Sequence, residues 1–162
     1  NLRQYVEKIC REKNIRCRCI RCREAGFHIK KNEKIDLKDI QTTITEYEES
    51  NGKEFFISVD DTANDILIGF CRMRFPGQFL RPEITKDSAL IRELHVYGTA
   101  TALGQEGTIQ HRGWGKKLIA KAEEIAKQHG KKKIVVIAGV GVKEYYRKLG
   151  YKKEGVYMVK EI

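Results

Sequence analysis

The chain has 162 residues, 33% of them charged and 41% hydrophobic, a length and balance suited to one packed domain and not to a disordered tail, a collagen-like repeat or a mucin-like stalk. Its apolar runs are a handful of residues long, so neither a transmembrane helix nor a signal peptide is expected in it. The net charge of +10 is uneven: residues 1–34 carry +7, 35–111 carry −6, 112–133 carry +6 and 134–162 carry +3.

Leu2, Tyr5, Val6, Ile9 and Cys10 recur at helical spacing, so residues 2–14 are predicted as a helix. Residues 15–24 alternate basic residues with Cys and Ile, and residues 25–39 read as a polar connector. The acidic middle reads as strands at 42–47, 54–59 and 66–75, rich in β-branched and aromatic residues. Ser50-Asn51-Gly52 is a hairpin turn signal between the first two. Pro76-Gly77 ends the third strand, 78–87 is a loop, and 90–97 is a further strand. Residues 98–111 form a Gly-rich loop. A long helix is predicted over 113–129, with Trp114, Leu118, Ile119, Ala122, Ile125 and Ala126 as its apolar stripe and Gly130 at its end. A buried strand at 133–138, a turn at 139–142, a short helix at 143–149 and a final strand at 151–160 complete a mixed α/β domain.

Two stretches carry chemistry. The first runs from a strand through Gln110-His111-Arg112-Gly113-Trp114-Gly115-Lys116 into the long helix. Gly113 and Gly115 put no side chain in a ligand's way, and the opening turn of a helix has backbone N–H groups without intrahelical partners. The helix dipole and the charges of Lys116 and Lys117 add to a pyrophosphate cradle. A tight helix start with no ligand is the plain structural alternative. The second stretch is Cys17-x-Cys19-x-x-Cys22, three thiols in one short loop. Zinc takes four tetrahedral ligands and accepts thiolates; Cys10, His28, Cys71 and His95 are candidates for the fourth. Arg16, Arg18, Arg21 and Arg23 are expected to lower the thiol pKa values. Free packed thiols and an iron–sulfur cluster are the alternatives. Five cysteines, three of them bunched, suit a reducing, cytoplasmic setting. The same Arg-rich loop, with Lys121, Lys127 and Lys131-Lys132-Lys133, offers either a phosphate-binding surface for RNA or a solvated basic face.

Gln110-x-x-Gly113-x-Gly115 resembles the acyl-CoA motif of the GNAT acetyltransferase superfamily, and Tyr145-Tyr146-Arg147-Lys148-Leu149-Gly150-Tyr151 resembles its second signature. One helix and one strand separate them, as that fold requires. Arg92 to Gly98, Gly139-Val140-Gly141, Tyr157 to Lys160 and the Cys17–Glu24 segment narrow the likeness. They resemble the C-terminal acetyltransferase domain of the Elongator catalytic subunit, in its archaeal and bacterial tRNA uridine acetyltransferase form. The resemblance spans nearly the whole chain. It implies a GNAT-like fold, a mixed central sheet flanked by helices, with a helical, Cys-rich linker over 1–39 and an acetyl-CoA-binding domain over 40–162.

In that family a radical-SAM domain, bearing an iron–sulfur cluster and S-adenosylmethionine, precedes this one. A chain opening on Asn1 is expected to be a fragment or processed form lacking it. By the same resemblance, Glu93, Leu94, His95 and Val96 pair with the pantetheine arm. Gly113, Trp114, Gly115 and Lys116 take the pyrophosphate, and Gln110 and Tyr145 are further cofactor-binding residues. Tyr146 lies near the sulfur and protonates the leaving thiolate. A phenol, with an ordinary pKa of about 10, can donate a proton at neutral pH. Glu93 and His95 alternate with Leu94, which directs both towards one face as candidate bases. The segment from Tyr97 to Ile109 is longer than the connection in ordinary GNAT domains, and reads either as a gate over the cofactor or as a plain insertion. The resemblance implies activation or hydrolysis of acetyl-CoA for carboxymethyl-type modification of the tRNA wobble uridine, with tRNA and the radical-SAM domain as partners and no membrane. A protein lysine acetyltransferase and a non-catalytic, zinc-containing RNA-binding module are the competing readings.

Overall fold

The hairpin signal at residues 50–52 is realised as a two-residue turn. Ser50 and Asn51 have φ of 47° and 57°, and Glu49 pairs with Gly52 across it. Two successive positive φ values match the right-handed twist of the strands they join. The turn connects β1 (Ile40–Glu49) to β2 (Gly52–Asp61), which continues through β3 (Ile66–Phe75) to β4 (Ser88–Val96) in an antiparallel meander. The computed structural model describes residues 1–30, 39–97 and 113–162.

After β4 comes α4 (Trp114–Gln128), which returns the chain to β5 (Lys133–Val136), parallel to β4. A 3₁₀ turn (Val140–Val142) leads into α5 (Lys143–Lys148), followed by β6 (Lys152–Glu154) and β7 (Tyr157–Glu161). The sheet has seven strands in the order β1-β2-β3-β4-β5-β7-β6. Ahead of it lie α1 (Leu2–Glu12), α2 (Ile20–Arg23) and α3 (Ala25–Lys30).

Alternation along the strands decides which face is buried. Phe55, Ile57 and Val59 of β2, Cys71 and Met73 of β3, and Ala89 and Ile91 of β4 pack under Leu118, Ile119, Ala122, Ile125 and Ala126 of α4. Trp114, expected in that stripe, sits at its edge, half-buried. Gly130, with φ of 69°, takes the left-handed position just past the helix end, where a side chain would be strained. The opposite face carries a small apolar cluster of Leu90, Val135 and Val159, and is otherwise polar and aromatic.

Two sequence expectations are corrected. Residues 25–39 are not wholly a connector: Ala25–Lys30 is helical, Ala25 is fully buried in the main core, and Glu24 forms a bridge with Leu67 of β3. The polar composition hid this, because one alanine docked on the sheet leaves no hydrophobic periodicity. The single strand expected at 151–160 is a hairpin of β6 and β7, broken at Gly155, whose φ is 56°. Enlarging Ala25 tests the docking. Ala25→Leu overfills a closed site and is expected to cost about 1–3 kcal/mol in a urea melt; no change would mean that the segment does not pack on the sheet in solution.

Candidate functional site

β4 leads two lives. From Ser88 to Ile91 it pairs with β5, and the last link is the Ile137 N–H donating to the Ile91 carbonyl at 3.1 Å. From there to Val96 it continues beside β3, whereas the β5 pairing has ended at Val136. One edge of the 92–96 backbone thus faces an opening between parted strands, among the described residues. Such an edge presents unpaired N–H and C=O groups to an extended ligand.

A bulge accompanies the parting. Arg72 pairs with Glu93 and Met73 with Ile91, so Arg92 is an extra residue in β4. Arg92 and Glu93 therefore both turn away from α4. Leu94 and Val96 pack against the core on the α4 side, while His95 stands opposite Phe70 on the other face. The expectation that Glu93 and His95 share a face holds in this geometry. Both are exposed. Glu93 lies 3.8 Å from the Arg72 guanidinium. The His95 ring stacks on Phe70, with centroids 6.2 Å apart, and tilts against Tyr97 at 4.4 Å.

The start of α4 closes one end of the opening. Gly113, the N-cap, has φ of 75°, and no acidic side chain occupies the first turn to compete for its free N–H groups. Gly115 is needed for space: a Cβ there would lie 2.8 Å from the Tyr145 hydroxyl and 3.8 Å from a Val96 methyl. The end of β4, the start of α4 and the first tyrosine of α5 therefore meet at one point. Lys116 is exposed, and the Lys117 ammonium lies 4.3 Å above the Trp114 ring. The Trp114 indole N–H is buried without a hydrogen-bond partner among the described residues. Gln110, and the expected loop from residue 98 onward, lie outside the described residues.

Tyr145 and Tyr146 meet edge to face at 5.3 Å, and Tyr146 in turn meets Tyr151 at 5.6 Å. Tyr145 is partly exposed, whereas Tyr146 is buried. Burial, with a smaller effect of Cys71 and Tyr145, pushes the Tyr146 phenol above its ordinary value, so it stays protonated across neutral pH. In that state it has a proton to give and is no base, and it is a weaker acid than a free phenol.

The sulfurs of Cys17, Cys19 and Cys22 lie within 4.8 Å of one another. Tetrahedral zinc with Zn–S bonds of about 2.3 Å requires sulfurs about 3.8 Å apart, which this spacing accommodates. The Arg3 guanidinium donates to the Cys22 sulfur at 3.4 Å. Hydrogen bonds, first from the Cys22 backbone N–H, lower the Cys19 thiol to about 7. Burial raises Cys22 to about 11. The flanking arginines do not supply this effect, contrary to expectation. Arg16 and Arg18 reach Asp65, and Arg23 binds both Asp60 and Asp65, at 2.6 Å and 2.8 Å. Of the expected fourth ligands, Cys71 is buried under α4, His95 is on β4 and the His28 Nε2 lies 3.2 Å from the Cys22 carbonyl oxygen, whereas Cys10 lines the same cavity of about 840 Å³ as the triad.

Sequence reasoning missed Glu54. It is buried on the face away from α4, with Arg92 at 2.6 Å, Arg74 at 3.0 Å and Arg72 at 4.0 Å. The alternation of Arg72 and Arg74 hinted at a charged face, but only strand register brings Glu54 beneath them.

The fold is that of the acetyltransferase (GNAT) family, and known proteins agree. The profile of the acetyltransferase (GNAT) family matches residues 25–151, and the chain belongs to that family. It is 48% identical to the tRNA uridine(34) acetyltransferase of Methanocaldococcus infernus, over all of this chain and 31% of that protein. It is 42% identical to Elongator complex protein 3 of Schizosaccharomyces pombe, over 99% of this chain and 30% of that protein. The solved structure of the archaeal M. infernus Elp3 with an N-terminal deletion (1-46) superposes with a TM-score of 0.89, over 98% of this chain and 38% of that one. The chain thus spans about a third of the length of the curated relatives it matches.

The contact between Gly115 and Tyr145 can be read from stability. Gly→Ala inside a helix gains up to about 1 kcal/mol. Gly115→Ala is expected to lose that gain, or reverse it, in the wild-type background and to recover it in Tyr145→Phe. A double-mutant cycle with no coupling would show that the hydroxyl does not abut the helix start.

Proposed function

We propose that this chain binds acetyl-CoA in the opening between β4 and β5 and activates or hydrolyses its thioester, in the service of tRNA wobble-uridine modification of the carboxymethyl type. One observation carries the reading: the end of β4, the glycine start of α4 and Tyr145 of α5 meet where a Cβ on Gly115 would abut the Tyr145 hydroxyl and Val96, with Tyr146 packed edge to face on Tyr145. The M. infernus relative is named for acetylating tRNA uridine 34.

Each part has a role that follows from its chemistry. The backbone of Glu93, Leu94, His95 and Val96 pairs with the amide groups of the pantetheine arm. Gly113, Trp114, Gly115 and Lys116 hold the pyrophosphate with helix N–H groups and lysine charge, joined by Gln110. Tyr145 lines the groove where the two elements meet. Water activated by Glu93 or His95 adds to the thioester carbonyl. As the C–S bond breaks, the Tyr146 hydroxyl gives its proton to the departing sulfur, and the base holds the proton taken from water. Formation of the bond to uridine is the task of a radical-SAM unit, with its iron–sulfur cluster and S-adenosylmethionine, outside this chain. Residues 40–162 form the acetyl-CoA unit and 1–39 its linker.

The linker's cysteines suit zinc. Cys17, Cys19 and Cys22 would hold it, with Cys10 across the same cavity as the candidate fourth ligand, and the metal would lock the loop against α1. The lysines of α4 and residues 131–133 supply the charge for tRNA, because Arg16, Arg18 and Arg23 are engaged with aspartates. A cytoplasmic setting suits five free cysteines. Among the described residues no helix is long and apolar enough to cross a membrane.

Calorimetric titration with a non-hydrolysable acetyl-CoA analogue tests the groove. Wild type is expected to bind and Gly113→Glu to bind at least about tenfold more weakly. A folded wild type that ignores the analogue would overturn the reading. Tyr146→Phe is expected to lower the rate of thioester hydrolysis by about 10²–10⁴ at little-changed KM. A normal rate would remove the phenol from the proton path. Elemental analysis is expected to find one zinc per chain, lost in Cys17→Ser and Cys22→Ser; metal-free wild type purified under reducing conditions would argue for free thiols.

A further inference from the structure

Glu54 is a buried carboxylate with 1% exposure, in the only part of β2 that faces three arginines among the described residues. Burying a carboxylate costs several kcal/mol unless it is paired, so its partners are held to it. Those partners are not equivalent. Arg74 is directly opposite Glu54 in register, and its guanidinium also donates to the Glu49 and Ser50 carbonyls at 2.7 Å and 2.9 Å. It serves the β1–β2 turn. Arg92 donates to Glu54 Oε1 at 2.6 Å, and Arg92 is the extra residue of the β4 bulge. Arg72 links the two ends, 4.0 Å from Glu54 and 3.8 Å from Glu93.

Building on the groove proposed above, we infer that Glu54 is a positioning residue for it: through Arg92 it pins the bulge that sets the direction of residues 93–96. The reason is register. Side chains alternate along a strand, so one residue more or fewer exchanges the faces of everything beyond it. With the bulge in place, Arg92 and Glu93 both turn away from α4, and Leu94 and Val96 return to the α4 side beside Gly115. Without it, Glu93 and His95 would turn into the core, and Leu94 and Val96 would leave the groove. Bulges re-aim side chains in this way next to functional sites. The salt bridge holds Arg92 over Glu54; in the unbulged register Arg92 would keep this face but stand directly opposite Arg72, a like-charge pairing that strands avoid.

The test compares Arg92→Ala with Arg74→Ala in the intact protein. Acetyl-CoA analogue affinity, the KM and kcat of thioester hydrolysis and the melting temperature are measured together. Arg92→Ala is expected to weaken the analogue and raise KM by about tenfold or more, with a smaller change in kcat. Arg74→Ala leaves the Arg92–Glu54 pair in place; it is expected to lower the melting temperature while affinity stays within about twofold. A folded Arg92→Ala that binds as wild type overturns the inference, as does an equal loss of affinity in both variants. Should Arg92→Ala fail to fold, Arg92→Met, which keeps the apolar stem and removes the charge, decides by the same thresholds. Failure of wild type itself to bind would overturn the groove and this inference together; binding by wild type with no distinction between the variants would overturn only the inference.

Discussion

The parting of β4 from β5 is the constraint on which the rest of this molecule turns. A strand in the middle of a sheet satisfies its backbone on both sides, and a buried strand that does not must find another partner. Here a parallel pair joined through α4 holds together for four residues and then separates, while the antiparallel β3 keeps hold of β4 to its end. The separation lies where α4 begins and α5 presents its tyrosines. A polar edge, a helix start without carboxylates and a protonated phenol are thereby gathered without any of them leaving regular secondary structure. Rigid elements hold such a site more precisely than loops do.

Charge is distributed to the same end. The net charge of +10 already sets each paired cation against its carboxylate, so the surplus rests on cations without one. Arg16, Arg18 and Arg23 are held by Asp60 and Asp65, Arg72, Arg74 and Arg92 by Glu54, and Lys160 by Glu123. Three carboxylates of the acidic middle, Glu54, Asp60 and Asp65, are thus the counter-charge of six arginines around them. Lys116 stands exposed at the start of α4 and Lys132 beyond its other end.

Much of this was legible before any coordinates. The helix over 114–128 and its buried stripe follow from spacing, the β1–β2 turn from Ser50-Asn51-Gly52, and the glycine cradle from the turn that precedes the helix. What escaped was set by pairing between distant segments. The bulge at Arg92 has no local signature, since a strand of nine residues reads the same with or without an extra one. Glu54 opens a predicted strand, and only register places arginines from two other strands above it. The cysteine loop misled in the opposite sense. Its interleaved arginines suggested electrostatic activation of the thiols, yet most of those side chains are drawn towards aspartates near the β2–β3 connection, and backbone N–H groups affect Cys19 most.

That misreading bears on how the linker is attached. An 11-residue helix such as α1 buries no side chain and is too short to be stable alone in water. Its order depends on what it touches, and Arg3 and Cys10 bring it to the cysteine loop. The loop in turn is fastened to the sheet by Arg18 and Arg23 on aspartates, by the Glu24–Leu67 bridge and by Ala25 in the core. Order therefore passes from the sheet to the loop and from the loop to α1. A ligand that cross-links the three cysteines would stiffen the middle of that chain of dependence. It would then raise the stability of α1 far more than that of the sheet, which has a core of its own.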